Sequence, residues 1–293
     1  MAKQWVALFS LKSWLQTYLH QQASWVMCQW QGNNHNFPLS PSEIPLQQVK
    51  QYHQTIYLAA IAFSLAKLYA LPAPEIAQKL AARIAASNCS NLLQVQVVPS
   101  GLLNIVVTEQ AIAEWLQQLT QEEASTPTNP NSIPTSCQYR LSPAEIFFLQ
   151  YSHARCCSIV RLAHREAIIA LKSPNPTSSP CLWQVQSPHP FPWLNSHQTL
   201  QLILPAEKQA LFHLVATTDA INCTEQNSPP WHKLARALSE AFGQFHSQCR
   251  IFDETCIDNL YLAQARVGLA IAIHRLLRYL QEEYLHLETP LEL

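Results

Sequence analysis

A chain of 293 residues has room for two domains, each able to bury its own core. Hydrophobic residues make up 48% and charged residues 13%, about half the usual ~25%, so much of the surface is neutral polar or apolar. The net charge of −1 argues against strong nonspecific attraction to nucleic acid or anionic membranes, although all ten arginines except Arg83 lie after residue 137, where thirteen acidic residues nearly cancel them.

The first segment, MAKQWVALFSLKSWLQTYLHQ, lacks a compact apolar core followed by a small-residue cleavage site and reads as an amphipathic helix with Trp5, Leu8, Leu15 and Leu19 inward. Residues 23–31 (ASWVMCQWQ) read as a strand, rich in Trp and Val. A loop with Gly32, Pro38, Pro41 and Pro45 leads to an alanine-rich helix over 47–70, stopped before Pro72. A helix from Pro74-Glu75 to about Ala86 buries Ile76, Leu80 and Ile84. LLQVQVV (92–98) and LLNIVV (102–107) flank Pro99-Ser100-Gly101 as a hairpin, and a helix through Leu119 closes a small α+β domain over residues 1–120.

Residues 121–138 are polar, proline-bearing and aperiodic, the mark of a linker. Ser142 to Lys172 then opens as a helix, with Ser142 as cap, Pro143 at the first position and Glu145 completing a capping box. Phe148, Leu149, Cys156, Ile159, Val160, Ala163, Ala167 and Ala170 share one broad apolar face. The opposite side carries Tyr151, Arg155, Arg161 and Arg165, with His153 and His164 near the boundary. That stripe suits an ordinary solvated face as well as a ligand-facing one.

Residues 173–198, rich in proline and serine, read as an insertion into the helical domain of residues 139–293. Trp183 and Trp193, near Phe191, serve either to pin a surface loop or to dock a protein partner. A helix over 231–250 follows, with Leu234, Leu238, Phe242, Phe245 and Cys249 at helical spacing. A final helix from about Asp258 to Leu287 has Leu262, Ala265, Leu269, Ile273, Leu276 and Leu280 on its core side. Arg266, Arg275, Arg278 and Tyr279 are its polar candidates.

Nine cysteines at irregular spacings, without a Cys-x-x-Cys pair, fit free thiols in a reducing cytoplasm. His246, Cys249 and Cys256 come nearest to a metal cluster, but their spacing fits no standard zinc template, so no metal is expected. No apolar run approaches the ~18 residues that span a bilayer, so no membrane association is expected either.

The run FFLQYSHARCCSIVRLA, with Leu149, Gln150, Tyr151, His153, Ala154 and Arg155 in place and Ser152 where alanine is usual, resembles the opening helix of the DALR-type anticodon-binding domain of arginyl-tRNA synthetases. Leu204 to Leu211 (LPAEKQAL), the Trp231-to-Ala235 helix with its Cys249-Arg250-Ile251 turn, and Pro290 near the end are similar to later segments of that domain. Leu65-Ala66-Lys67, PAPEIA (72–77) and Val97 to Asn104 resemble the family's N-terminal additional domain. Its tRNA-contacting segment falls near Thr55 to Ala60, where Tyr57 is the residue that matches.

The resemblance implies a mainly α protein, a small α+β domain followed by an all-α helical-bundle, anticodon-binding-like domain. It also implies the absence of the family's catalytic domain, which would sit where residues 121–138 are. The four glycines are too dispersed for a phosphate-cradling loop, so neither a cofactor nor aminoacylation is expected. The reading that follows is a noncatalytic, cytoplasmic relative of arginyl-tRNA synthetase that binds tRNA or another RNA. Loop bases would stack on tyrosine or arginine planes, and arginines would pair the phosphates. Tyr151, Arg155, Arg161, Arg165, Arg266, Arg275, Arg278, Tyr279 and Leu293 are the candidate contacts. The alternative is a protein–protein adaptor that kept the scaffold and lost RNA binding.

Overall fold

The computed structural model describes residues 10–31, 37–87, 91–121, 141–172, 184–222, 229–252 and 259–293. The expected linker beyond Gln121, most of the first half of the insertion including Trp183, and Trp5, Leu8 and Cys256 lie outside the described residues. Among the described residues the chain divides into two units within a helix, 10–112 forming the first and those from Ala113 onward the second.

The first unit begins with helix α1, Leu11–Gln31. It runs through the segment expected to be a strand. Leu11, Leu15, Leu19, Ala23, Val26 and Met27 are all buried, a 3.6-residue period carried unbroken into the Trp-rich stretch. Trp25 and Trp30 face outward beneath Arg83 (4.0 Å) and Lys79 (3.6 Å), cation–π pairs between helices that local composition does not reveal.

Residues 47–70 are likewise not one helix. Strands β1 (Leu46–Gln48) and β2 (Thr55–Ala59) precede a short α2 (Ile61–Tyr69). Leu58 and Ile56 belong to a strand because β2 is hydrogen-bonded on both sides, to β1 and to β4 (Leu103–Val107). With β3 (Leu93–Val97) the antiparallel order is β1-β2-β4-β3. The β3–β4 hairpin turns at Pro99-Ser100-Gly101. Gly101 sits at φ +99°, and a Cβ there would come within 3.0 Å of the Ala73 backbone, so glycine is required on both counts. Helix α3 (Ala73–Ala85) buries Ile76, Leu80 and Ile84 as expected. Tyr57 is fully buried opposite Ile105, a core residue and not an RNA contact.

Helix α4 (Glu109–Gln121) leads into the second unit. Helix α5 (Pro143–Arg165) has both halves of the capping box, the Ser142 amide donating to Glu145 Oε2 at 2.8 Å and the Glu145 amide to Ser142 Oγ at 3.3 Å. It stops short of Lys172, because Ala167 turns left-handed at φ 57° and Ala170–Leu171 pairs with Val185–Ser187 as a short two-stranded sheet, β5 and β6. Helices α6 (Pro205–Asn222), α7 (Trp231–Gln248) and α8 (Leu260–Tyr279, continued by a π-turn over Leu280–Tyr284) complete the bundle.

Helix α8 is its centre. Every residue from Ala263 to Leu277 is buried, so there is no outward stripe to hold polar candidates. By length and composition α8 with its π-turn could span a membrane, but 83% of the relevant window is buried inside the bundle. Trp193, offered as a docking residue, is also buried. Its Nε1 donates to Gln117 Oε1 at 3.0 Å, and its ring packs with Phe191 against Gly268.

Candidate functional site

The sequence candidates separate by burial. Arg266 is interior, its Nε donating to Glu207 Oε1 at 2.7 Å and an Nη to the Arg250 carbonyl at 2.6 Å. Arg275, also buried, donates to the Leu119 carbonyl at 3.0 Å. Both guanidiniums are committed to internal acceptors and tie the bundle together, which takes them off any RNA-facing surface. Arg278 pairs with Glu282 one turn on at 2.8 Å, and Tyr279 lies edge-on to Tyr284. Burial raises the Tyr279 phenol pKa above its ordinary value, and Tyr284 adds to the shift.

The solvent edge of α5 is different. Tyr151 is 46% exposed and stacks on Phe147, itself 59% exposed, with ring centroids 6.1 Å apart and planes 21° apart. One helical turn on, exposed Arg155 donates from Nε to Nε2 of His246 on α7 at 2.6 Å. His246 is held neutral, its pKa lowered by burial and then by the neighbouring Arg155 charge. It also lines a cavity of about 280 Å³ with Ile159, Cys249, Arg250, Ile251 and Phe252. Arg165, also exposed, lies 3.5 Å from the exposed carboxylate of Glu166. The helix periodicity identified Tyr151, Arg155 and Arg165. The same four-residue spacing puts Phe147 on that edge, where its apolar side chain reads as core, whereas His246 comes from another helix and lies beyond the reach of periodicity.

Residues 285–293 run alongside α5 in the same direction. Gln150 Nε2 donates to the Glu288 carbonyl at 3.0 Å, and His153 Nδ1 meets the Pro290 carbonyl at 3.0 Å. Arg161 reaches the Leu291 carbonyl at 3.1 Å and the Glu292 carboxylate at 2.9 Å. Arg161 therefore anchors this segment, while Leu293 at its end is exposed.

Beneath the segment, His153 and Cys157 on α5 meet His274 on α8, all three buried. It differs from His246, Cys249 and Cys256, the nearest approach to a metal cluster in the sequence, and sequence spacing cannot show it because α8 supplies one member. Among the described residues, these three make the one group whose ligand atoms are close enough to share a metal ion.

Comparison with known proteins finds distant relatives. The chain is 29% identical over 148 residues to the arginine–tRNA ligase of a Synechococcus species, covering 50% of this chain and 22% of that protein. It is 30% identical over 135 residues to that of Pelodictyon phaeoclathratiforme and 28% over 136 to that of Gloeobacter violaceus, in each case 45% of this chain and 20% of the relative. The chain thus spans about a fifth of the length of the relatives it matches. No family model matches it. No solved structure matches it significantly. The chain is a distant relative of arginine–tRNA ligases.

Proposed function

We propose that this protein is a noncatalytic relative of arginine–tRNA ligases that binds tRNA, or another RNA with exposed loop bases, along the outer edge of α5. The observation that carries this reading is the exposed Phe147–Tyr151 stack one turn before Arg155, whose partner His246 lines a 280 Å³ cavity. An aromatic platform accepts a splayed base at roughly 1–3 kcal/mol per stacked base, and adjacent guanidiniums pair its phosphates. The cavity, with Phe252 and Arg250 in its wall, has the size and lining to receive one further planar base. Neutral overall charge suits this mode, in which a local patch and stacking, more than a broad basic surface, supply the affinity.

The noncatalytic part of the proposal rests on the sequence, since the segment between the two domains is 18 residues long where the ligases hold a catalytic domain. The adaptor reading has lost one of its two tryptophan anchors, because Trp193 is an interior residue.

The test is filter binding of the purified chain to total tRNA and to an arginine tRNA transcript at two salt concentrations. Salt-sensitive binding that weakens about tenfold or more in Arg155→Ala/Arg165→Ala and in Tyr151→Ala is expected. Binding unchanged in these variants would place the RNA elsewhere, and no binding at low salt would refute the proposal.

A further inference from the structure

The buried His153–Cys157–His274 cluster has the composition of a soft-metal site. One ring nitrogen of each histidine and the thiol sulfur lie within 4.8 Å of one another. Cys157 Sγ is 3.2 Å from His274 Nε2 and 4.0 Å from His153 Nδ1, and the two imidazoles stack at 4.5 Å. Cys157 follows His153 by four residues on α5, so both project from one face, while α8 presents His274 opposite.

The protonation of His153 is the second observation. Its Nδ1–H donates to the Pro290 carbonyl, which leaves the lone pair on Nε2. That Nε2 is buried and has no hydrogen-bond partner among the described residues, a costly arrangement for a polar atom in a core. Metal-bound histidines have this second-shell form: one ring nitrogen donates to a backbone carbonyl, fixing the ring, and the other ligates. Both rings are buried, and the neutral imidazole is the form that binds metal.

We propose that His153, Cys157 and His274 form a three-coordinate site for a monovalent soft d¹⁰ cation of the cuprous class. One thiolate and two neutral imidazoles hold a monovalent ion with no net charge, whereas a zinc ion would leave one positive charge uncompensated in the core, near Arg275 and Arg278. Three ligands also suffice for such an ion, while zinc takes a fourth. With metal–ligand bonds of about 2.0–2.3 Å, donors sit roughly 3.5 Å apart. Cys157 Sγ is nearest Nδ1 of the His153 ring, so ligation through Nε2 turns that ring toward the sulfur, and binding releases the Cys157 thiol proton to solvent.

The experiment is anaerobic titration of the full chain with Cu⁺ against a chromophoric cuprous chelator, a parallel titration with Zn²⁺, and X-ray absorption on the Cu⁺-loaded protein. Cys28, the exposed thiol among the described cysteines, is replaced (Cys28→Ser) to limit adventitious binding. One equivalent of Cu⁺ per chain is expected, with one sulfur and two nitrogen scatterers. In His274→Leu the affinity should fall by more than the ~10–100-fold typical of losing an outer-shell partner. The absorption measurement needs no variant, so a folding defect in His274→Leu, read by circular dichroism, does not blunt the test. Sulfur-only coordination, undiminished affinity in a folded His274→Leu, or one equivalent of Zn²⁺ held in preference to Cu⁺ would overturn the proposal.

Discussion

A β-carbon at Gly268 would lie 2.5 Å from Cη2 of Trp193. This contact sets the interior of the second unit, because α8 can pass beneath the indole at this position without a side chain of its own. Helix propensity alone would favour alanine here by about 1 kcal/mol. The clash opposes it: forcing extra volume into a packed core typically costs about 1–3 kcal/mol. Here the obstacle is a buried ring pinned by Gln117 and Phe191. Gly268→Ala is therefore expected to destabilise the chain, and Gly268→Ala with Trp193→Phe to recover part of the loss, as read by the urea midpoint. A stabilised single variant would contradict the packing account.

The Arg266–Glu207 pair is expected to behave as a buried ion pair whose partners cannot be separated. Glu207 is fully buried and Arg266 nearly so, with the guanidinium also donating to the Arg250 carbonyl. Glu207→Ala leaves a charge in the core and should cost about 3–5 kcal/mol in chemical denaturation. Arg266→Met combined with Glu207→Leu should cost less than either single change, since no unpaired charge is left.

Removing the cap of α5 should cost about 1 kcal/mol in Ser142→Ala. The Glu145 carboxyl is held below its ordinary pKa by hydrogen bonds from the backbone and hydroxyl of Ser142. In the variant that pKa should rise toward the usual carboxylate range, a shift measurable by carbon-13 NMR of the labelled side chain.

His246 gives a pH signature. Its folded pKa lies below the ordinary value of about 6.5, through burial and then through Arg155. The unfolded chain thus binds the proton first as pH falls, so this residue's contribution is fully present above pH ~6.5 and declines as pH drops toward the folded pKa. Protonation also removes the acceptor for Arg155 and frees that guanidinium. Thermal stability should fall on acidification below pH ~6.5, with a shallower slope in His246→Gln. RNA affinity should rise over the same interval in the wild-type chain and stay flat in that variant.

Much of the second unit was legible in the sequence because its signals are local. The Ser142–Glu145 box, the apolar face through Leu149, Cys156, Ile159, Val160 and Ala163, and the spacing of α7 each depend on residues a turn or two apart. The Pro99-Ser100-Gly101 hairpin is legible for the same reason, and Gly101 occupies the backbone region that only glycine takes readily. The exposed arginine edge of α5 follows from the same periodicity.

What the tertiary structure decided is where competing local readings are resolved by distant partners. Trp25 and Trp30 find their partners Arg83 and Lys79 on α3, and Thr55–Ala59 is a strand because β1 and β4 flank it. Arg266 and Arg275 are structural because α8 is surrounded on all sides, a property of the bundle and not of the helix. The same enclosure joins His274 to Cys157 across 117 residues of sequence, with His153 one turn before Cys157. Periodicity reports which face of an element is apolar. It carries no record of which element, or which charge, packs against that face.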